Sequence, residues 1–382
     1  MKSIAAIPLG LYIHLPWCIR KCPYCDFNSH EAAGELPYDR YVDALLRDLD
    51  AELSHIQNRK VDTIFIGGGT PSLFPAAAVR RLLDGIRARM DCVTGMEVTL
   101  EANPGAADTS RFSGFLAAGV NRLSIGVQSF RNHQLKRLGR VHDSAAAHAA
   151  LAAARDAGYG DINIDIMHGL PDDRDDEALV DLVEALAFEP THISWYQLTI
   201  EPGTAFAHRP PQLPDHDSVA KQFDAGSEML AAAGYDRYEV SAYARPGRRA
   251  RHNINYWQFG DYIGIGAGAH GKMTSTLGIF RSEKRRNPAT YMSQAGQPEC
   301  TTRSGPVDDA DLITEFAINA LRLREGFDES LFTSRTGLTR GALSDPVRQA
   351  QEHGWLNDAA GVIRPTELGY RFLNDLQLLF LK

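Results

Sequence analysis

The chain has 382 residues, 44% hydrophobic and 23% charged, with 48 acidic against 40 basic side chains and a formal net charge of -8. That length and balance describe a globular protein with one large and one smaller domain, and the acidic balance excludes a protein built to grip nucleic acid by bulk electrostatics. No run approaches the roughly 18 apolar residues of a membrane span, and the apolar stretch after Lys2 soon meets His14 and Pro16 without a small-residue cleavage site, so a cytoplasmic location is expected.

From the start to about residue 200, short β-rich runs alternate with amphipathic helical stretches. The expected strands are Leu11–His14, Thr63–Ile66, Glu97–Ala102, Arg122–Val127, Ile162–Ile166 and His192–Leu198. Between the first two, Val42, Leu45, Leu46, Leu49 and Leu53 fall on one face of a helix. Val79, Leu82, Leu83, Ile86 and Met90 repeat that spacing before the third strand, and an Ala-rich helix is expected over Ser144–Ala157. Six β-α units imply a parallel α/β sheet, closed wholly or in part as a TIM-type (β/α)6 barrel. A doubly wound open sheet would share the pattern.

Residues 272–308 lose this rhythm in scattered Gly, Pro, Ser and basic residues and read as a linker between a domain of residues 1–271 and one of 309–382. In the second domain Leu312, Ile313, Phe316, Ala320 and Leu323 form a helical face, and a second helix is expected from Pro346 to His353. A hairpin follows around Ala359–Gly361, then a last helix with Thr366 as N-cap. Helices followed by a small hairpin describe a winged-helix-like module, for which a packing or protein-contact role is expected.

The first strand runs into Cys18-Ile-Arg-Lys-Cys22-Pro-Tyr-Cys25, a C-x3-C-x2-C loop. Three thiolates on one compact loop can hold three irons of a cubane cluster and leave the fourth iron open. A zinc site completed by His14 or His30 is the competing reading, but zinc sites usually pair C-x2-C units and no second unit follows. Cys92 and Cys300 are isolated and read as packing residues. Four further motifs fall at strand C-termini, where barrel enzymes assemble their sites. These are Gly67-Gly68-Gly69-Thr70-Pro71, Glu101 in Glu-Ala-Asn-Pro, Gln128 in Gly-Val-Gln-Ser-Phe, and Asp165 in Asn-Ile-Asp-Ile. Bare glycine N–H groups allow close approach of a ligand, and the polar side chains can hydrogen-bond its amine or ribose.

The cysteine spacing, its place after the first strand and Tyr24 before the last thiol resemble the radical S-adenosylmethionine superfamily. From Leu11 to the C-terminal module the chain is similar to the subgroup that holds the oxygen-independent coproporphyrinogen III oxidases and the haem chaperones. The resemblance implies a [4Fe–4S] cluster on Cys18, Cys22 and Cys25, S-adenosyl-L-methionine on the open iron, and a reductant for the cluster. It implies cofactor contacts at Tyr12, Tyr24, Gly68, Gly69, Thr70, Glu101, Gln128, Arg140 and Asp165, with Gln197 at the corresponding end of the sixth strand. The Arg140 guanidinium suits a carboxylate.

Two departures separate this chain from the oxidases. Their pattern continues with a fourth cysteine, where this chain has Asp26-Phe27, and they carry a longer extension before the loop, which here follows seventeen residues. The string His252-Asn253-Ile254-Asn255-Tyr256-Trp257 joins an imidazole able to ligate iron to aromatic surfaces able to cover a macrocycle. It matches the H-N-x-x-Y-W motif that the haem chaperones are thought to use, although such a string can also be buried packing. Arg245, Arg248, Arg249 and Arg251 before it either meet haem propionates or are solvated, and His270 in the glycine-rich Gly264–Gly271 run is expected to be structural. The expected function is a haem carrier with haem as cargo, His252 as axial ligand, acceptors such as respiratory cytochromes and transient contact with a membrane surface. The alternatives are oxidative decarboxylation of coproporphyrinogen III or a radical reaction on another substrate.

Overall fold

The computed structural model describes residues 6–106, 108–174, 176–359 and 361–381. Six parallel strands stand side by side in chain order: β1 (Leu9–Leu15), β2 (Val61–Gly68), β3 (Cys92–Ala102), β4 (Arg122–Gln128), β5 (Ile162–His168) and β6 (His192–Gln197). Period-2 alternation decides what each face carries. Leu11, Ile13, Ile64, Ile66, Val98, Leu100, Ile125 and Ile164 point outward into one core. The residues between them, among them Phe65, Thr99, Glu101, Ser124, Asn163 and Asp165, face a common interior cavity.

Helices α1 (Tyr38–Glu52), α2 (Ala76–Arg87), α3 (Thr109–Ala118), α4 (Asn132–Arg137), α5 (Ser144–Asp156) and α6 (Glu177–Ala187) return the chain between strands. The expected apolar faces of α1 and α2 are the buried ones, through Val42, Leu45, Leu49, Val79, Leu82, Leu83 and Ile86. Each such leucine or isoleucine contributes about 1.5–3 kcal/mol.

The sheet does not close, so the architecture is a partial (β/α)6 barrel. Beyond β6 lie β8 (Ala242–Ala244) and the edge strand β7 (Asp236–Arg237). On the other side β9 (Asp261–Gly266) pairs parallel with β1, followed by antiparallel β10 (His270–Ser275), β11 (Gly278–Lys284) and β12 (Thr301–Pro306). The order is β12-β11-β10-β9-β1-β2-β3-β4-β5-β6-β8-β7.

Residues 272–308 are therefore not the linker that their composition suggests. Lys284 is buried there because its ammonium lies 2.7 Å from Asp48 and 2.6 Å from Glu52 of α1, and the Tyr291 hydroxyl donates to Asp48. A buried lysine needs such partners, and they pin the segment to the barrel.

The C-terminal module has its own core of Phe316, Phe327, Phe332, Leu356, Ile363 and Phe380, joined to the barrel extension through Phe259 and Ile279. Its strands β13 (Phe327–Asp328), β14 (Leu356–Ala359) and β15 (Val362–Pro365) form the wing, in the order β13-β15-β14. The Thr366 hydroxyl caps the following helix by accepting from Gly369 N at 3.0 Å.

Candidate functional site at the cysteine loop

The cysteine loop leaves β1 at the C-terminal mouth of the barrel and is fastened on three sides. Gly69 N donates to Leu15 O at 2.8 Å and Thr70 N to Trp17 O at 2.7 Å. A Cβ at Gly69 would stand 2.5 Å from Trp17 O, and one at Gly68 2.8 Å from Leu15 O. Gly68 and Gly69 are thus required for contact between two backbones, whatever else they do for a ligand. Arg20 donates to the carbonyls of Gly139 and Arg140 at 2.7 and 3.1 Å, and Phe206 N donates to Pro23 O at 2.9 Å.

Cys18, Cys22 and Cys25 are free thiols on this loop, and all three line one cavity of about 600 Å³. Burial pushes the Cys18 thiol up to about 11 and raises Cys25 as well, so these sulfurs become thiolates when a cation is there to favour the charge. Among the described residues no three His, Cys, Asp or Glu side chains are gathered as a set for a single ion. A cubane puts each thiolate on its own iron, and three separate thiols around one cavity fit that donor set.

Tyr24, Gly68, Gly69, Thr70, Glu101, Gln128, Arg140, Asp165 and Gln197 line the same cavity. Arg140 donates to Cys22 Sγ at 3.6 Å and to Gly126 O at 2.8 Å. Burial works against its charge, but Tyr24 and Cys22 beside it hold its pKa above the usual value, and its buried Nε has no hydrogen-bond partner. Glu101 accepts from Gly68 N at 3.1 Å. Burial, with the charge of Asp165, raises its pKa to about 8. Asp165 is also raised by burial, although Ser124 and Asn163 donate to it at 2.8 Å each. Gln128 has φ 70 at a register shift against β5, and its Oε1 accepts from the Tyr196 hydroxyl. Left-handed backbone at a non-glycine residue costs about 1 kcal/mol and concentrates at working sites. Two buried carboxylates suit a cationic ligand, and the guanidinium suits a carboxylate on the same molecule. A sulfonium amino acid such as S-adenosylmethionine has both.

Two expected residues stand further from the thiols. Tyr12 lies against the cavity wall: its ring stacks on the wall residue Phe65, its hydroxyl bonds His14 Nδ1 at 2.9 Å, and burial with the Glu101 charge raises its pKa. His252 is 1% exposed at the opposite, N-terminal end of the strands. Its Nδ1 bonds the Thr63 hydroxyl at 2.8 Å and its Nε2 the Tyr256 hydroxyl at 2.9 Å. Glu97 accepts from the backbone N–H groups of Arg251 and His252 and holds the helix Arg251–Trp257 across the barrel floor. Neither imidazole nitrogen is open to an iron in this arrangement. Of the string, Asn253 is the residue that lines the cavity. The basic run is divided as well, with Arg248 paired to Asp161 and Arg249 to Glu325.

Sequence reasoning missed Ser124, Asn163 and Tyr196, which support Asp165 and Gln128. Their signal was available, because each sits two residues from a named position or alternates with the outward apolar residues of its strand.

The radical SAM superfamily model matches residues 12–183 and the HemN C-terminal domain model residues 307–372. The chain is 50% identical to the heme chaperone HemW of Escherichia coli over 98% of each chain. It is 46% identical to that of Haemophilus influenzae, again over 98% of each. Among solved structures, the coproporphyrinogen III oxidase HemN of Escherichia coli superimposes with a TM-score of 0.83 at 21% identity, covering 99% of this chain and 92% of that one, a likeness of fold. A cysteine loop at the mouth of an open parallel barrel, with this C-terminal module, defines a radical S-adenosylmethionine protein of the HemN type. Within that class the chain belongs to the HemW family.

Proposed function

We propose that the protein is a haem chaperone, which binds haem and hands it to haem-requiring proteins such as respiratory cytochromes. The observation that carries this reading is full-length identity of 50% to a protein named heme chaperone HemW. The absence of a fourth cysteine at Asp26-Phe27 favours it over the oxidase reading.

We infer further that Cys18, Cys22 and Cys25 hold a [4Fe–4S] cluster and that S-adenosyl-L-methionine lies between the loop and the strand ends. When bound, the pair supplies one-electron chemistry. The chain's own contribution is positioning. The Gly68–Thr70 backbone brings the ligand close, Glu101 and Asp165 face its cationic end, Arg140 takes its carboxylate, and Tyr24 shields the thiols from water. Reduction of the cluster needs a donor, and a cytoplasmic location suits one. Among the described residues no helix is long and apolar enough to cross a membrane, so delivery to a membrane-bound acceptor would be by surface contact. His252 serves as an axial ligand only after the helix Arg251–Trp257 leaves the barrel floor.

The test is an anaerobic haem titration of iron- and sulfide-reconstituted protein, followed by the Soret band and by iron and sulfide analysis. Saturable one-to-one haem binding, with iron lost in Cys22→Ala, is expected. A wild type that takes up no haem specifically ends the chaperone reading, and iron retained in Cys22→Ala ends the cluster assignment.

A further inference from the structure

The arginines of the basic run are engaged away from the cavity, but one arginine inside the barrel is not. Arg248 and Arg249 pair with Asp161 and Glu325, Arg251 donates to Gly95 O at 2.9 Å, and Arg245 lies over the Tyr235 ring. Arg122 opens β4 on its inward face, is 4% exposed and lines the cavity at the end opposite the thiols. Its Nη1 donates to Arg248 O at 3.3 Å, and its Nη2 is buried with no hydrogen-bond partner. The carboxylate facing it is Glu97 at 3.9 Å, beyond hydrogen-bond reach and engaged by the backbone N–H groups of Arg251 and His252. Glu101 and Asp165 stand nearer the mouth, level with Ser124 and Gly126 of β4. Two neutral side chains share the floor with Arg122. Thr99, level with it in the β3–β4 register, and Asn253 both line the cavity, and neither side chain has a hydrogen-bond partner among the described residues. His192, by contrast, is bonded through both nitrogens, to Asn163 and Tyr238.

A buried guanidinium short of an acceptor is costly, and at a cavity wall a ligand can supply one. A planar carboxylate fits the edge of a guanidinium, and the Asn253 amide and Thr99 hydroxyl add neutral donors beside it. One cation with two neutral donors matches a monoanion better than a phosphate dianion. We propose that Arg122, Asn253 and Thr99 form a carboxylate subsite on the barrel floor, and that a propionate of the haem cargo occupies it. The proposal rests on the haem reading above and deepens it by placing one edge of the macrocycle inside the barrel. Arg122 and Gln128 begin and end β4, about 20 Å apart along the strand, so the subsite is separate from the position read for S-adenosylmethionine. Asn253 belongs to the helix that carries His252. A propionate on the floor therefore touches the element that must move before His252 can reach iron.

The experiment titrates the iron- and sulfide-reconstituted full chain anaerobically with haem and with haem dimethyl ester, whose carboxylates are capped, in the same detergent, and follows the Soret band. Wild type should bind haem about tenfold more tightly than the ester. In Arg122→Gln haem should weaken to the level of the ester, while the ester keeps its wild-type affinity. Because Arg122→Gln leaves Glu97 without its cation, Asn253→Ala and Thr99→Val serve as further variants that break no side-chain hydrogen bond within the chain. Each should narrow the preference for haem over ester about threefold. No preference in the wild type, or a preference of wild-type size in all three variants, overturns the subsite and leaves the chaperone reading standing. Equal loss of haem and ester in Arg122→Gln, with the preference intact in the other two, also overturns it and gives Arg122 a structural role. A wild type that binds neither porphyrin overturns the chaperone reading and this proposal together.

Discussion

His252→Ala tests what the H-N-x-x-Y-W string does in the resting structure. Truncation removes a side chain that is 1% exposed, bonded through both nitrogens and stacked on Phe65 with ring centroids 5.3 Å apart. The Thr63 hydroxyl is left buried without its partner, at about 1–3 kcal/mol. Tyr256 is only partly buried and adds less, and the vacated ring volume adds a cavity cost. The sum is about 3–4 kcal/mol. His252→Gln keeps a donor and an acceptor near Thr63 and should cost about half as much. Urea unfolding followed by circular dichroism measures both. A His252→Ala variant within about 0.5 kcal/mol of wild type would refute the brace. The glutamine variant also separates brace from ligand, since a carboxamide does not replace imidazole on haem iron. An unchanged Soret band in His252→Gln removes His252 from the haem site.

Three further outcomes follow from the same geometry. Burial lowers His14, His142 and His168 to about 4 and His252 to about 3, whereas unfolded histidines titrate near about 6.5. The unfolded chain thus binds more protons between these values, so stability is full above about pH 6.5 and falls as pH drops toward 4; a urea midpoint constant from pH 7 to 4.5 would contradict this. Glu101, raised to about 8, gives up its proton when a cationic ligand arrives. Binding of S-adenosylmethionine at pH 7 should therefore release up to about one proton, seen as calorimetric heat that varies with the buffer's ionisation enthalpy. Buffer-independent heat, or release that persists in Glu101→Gln, would show the proton comes from elsewhere. Gly69→Ala puts a methyl against Trp17 O and should cost about 1–3 kcal/mol with reduced iron uptake; normal uptake would mean the loop tolerates the shift.

The barrel strands and the mouth of the site were legible because one face of each strand is apolar and the chemistry-bearing residues end the strands. Glu101 and Gln128 fall at or next to a strand end and Asp165 on the inward face of β5, and the structure brings all three to one cavity. What was not legible depends on long-range partners. Lys284 reads as a solvated linker lysine until Asp48 and Glu52, more than 200 residues earlier, are set beside it. The antiparallel strands β10–β12 lack clean alternation, and Gly271, Gly278 and Gly305 interrupt them. His252 has the composition of a ligand, and only Thr63 and Tyr256 show that its nitrogens are already engaged. Tyr12 likewise reads as a free contact residue, and only His14 and Phe65 show that its hydroxyl and ring already have partners.

The most direct test of the account is haem transfer itself. The cluster-loaded chain is saturated with haem anaerobically, freed of excess, and mixed with an apo-cytochrome b, and the acceptor's spectrum is followed. The account predicts that haem leaves this protein for the acceptor faster than it escapes to an equal concentration of apomyoglobin, a general haem scavenger. Haem that never binds saturably, or that reaches both acceptors at the same rate, would contradict a chaperone and return the coproporphyrinogen reaction to first place.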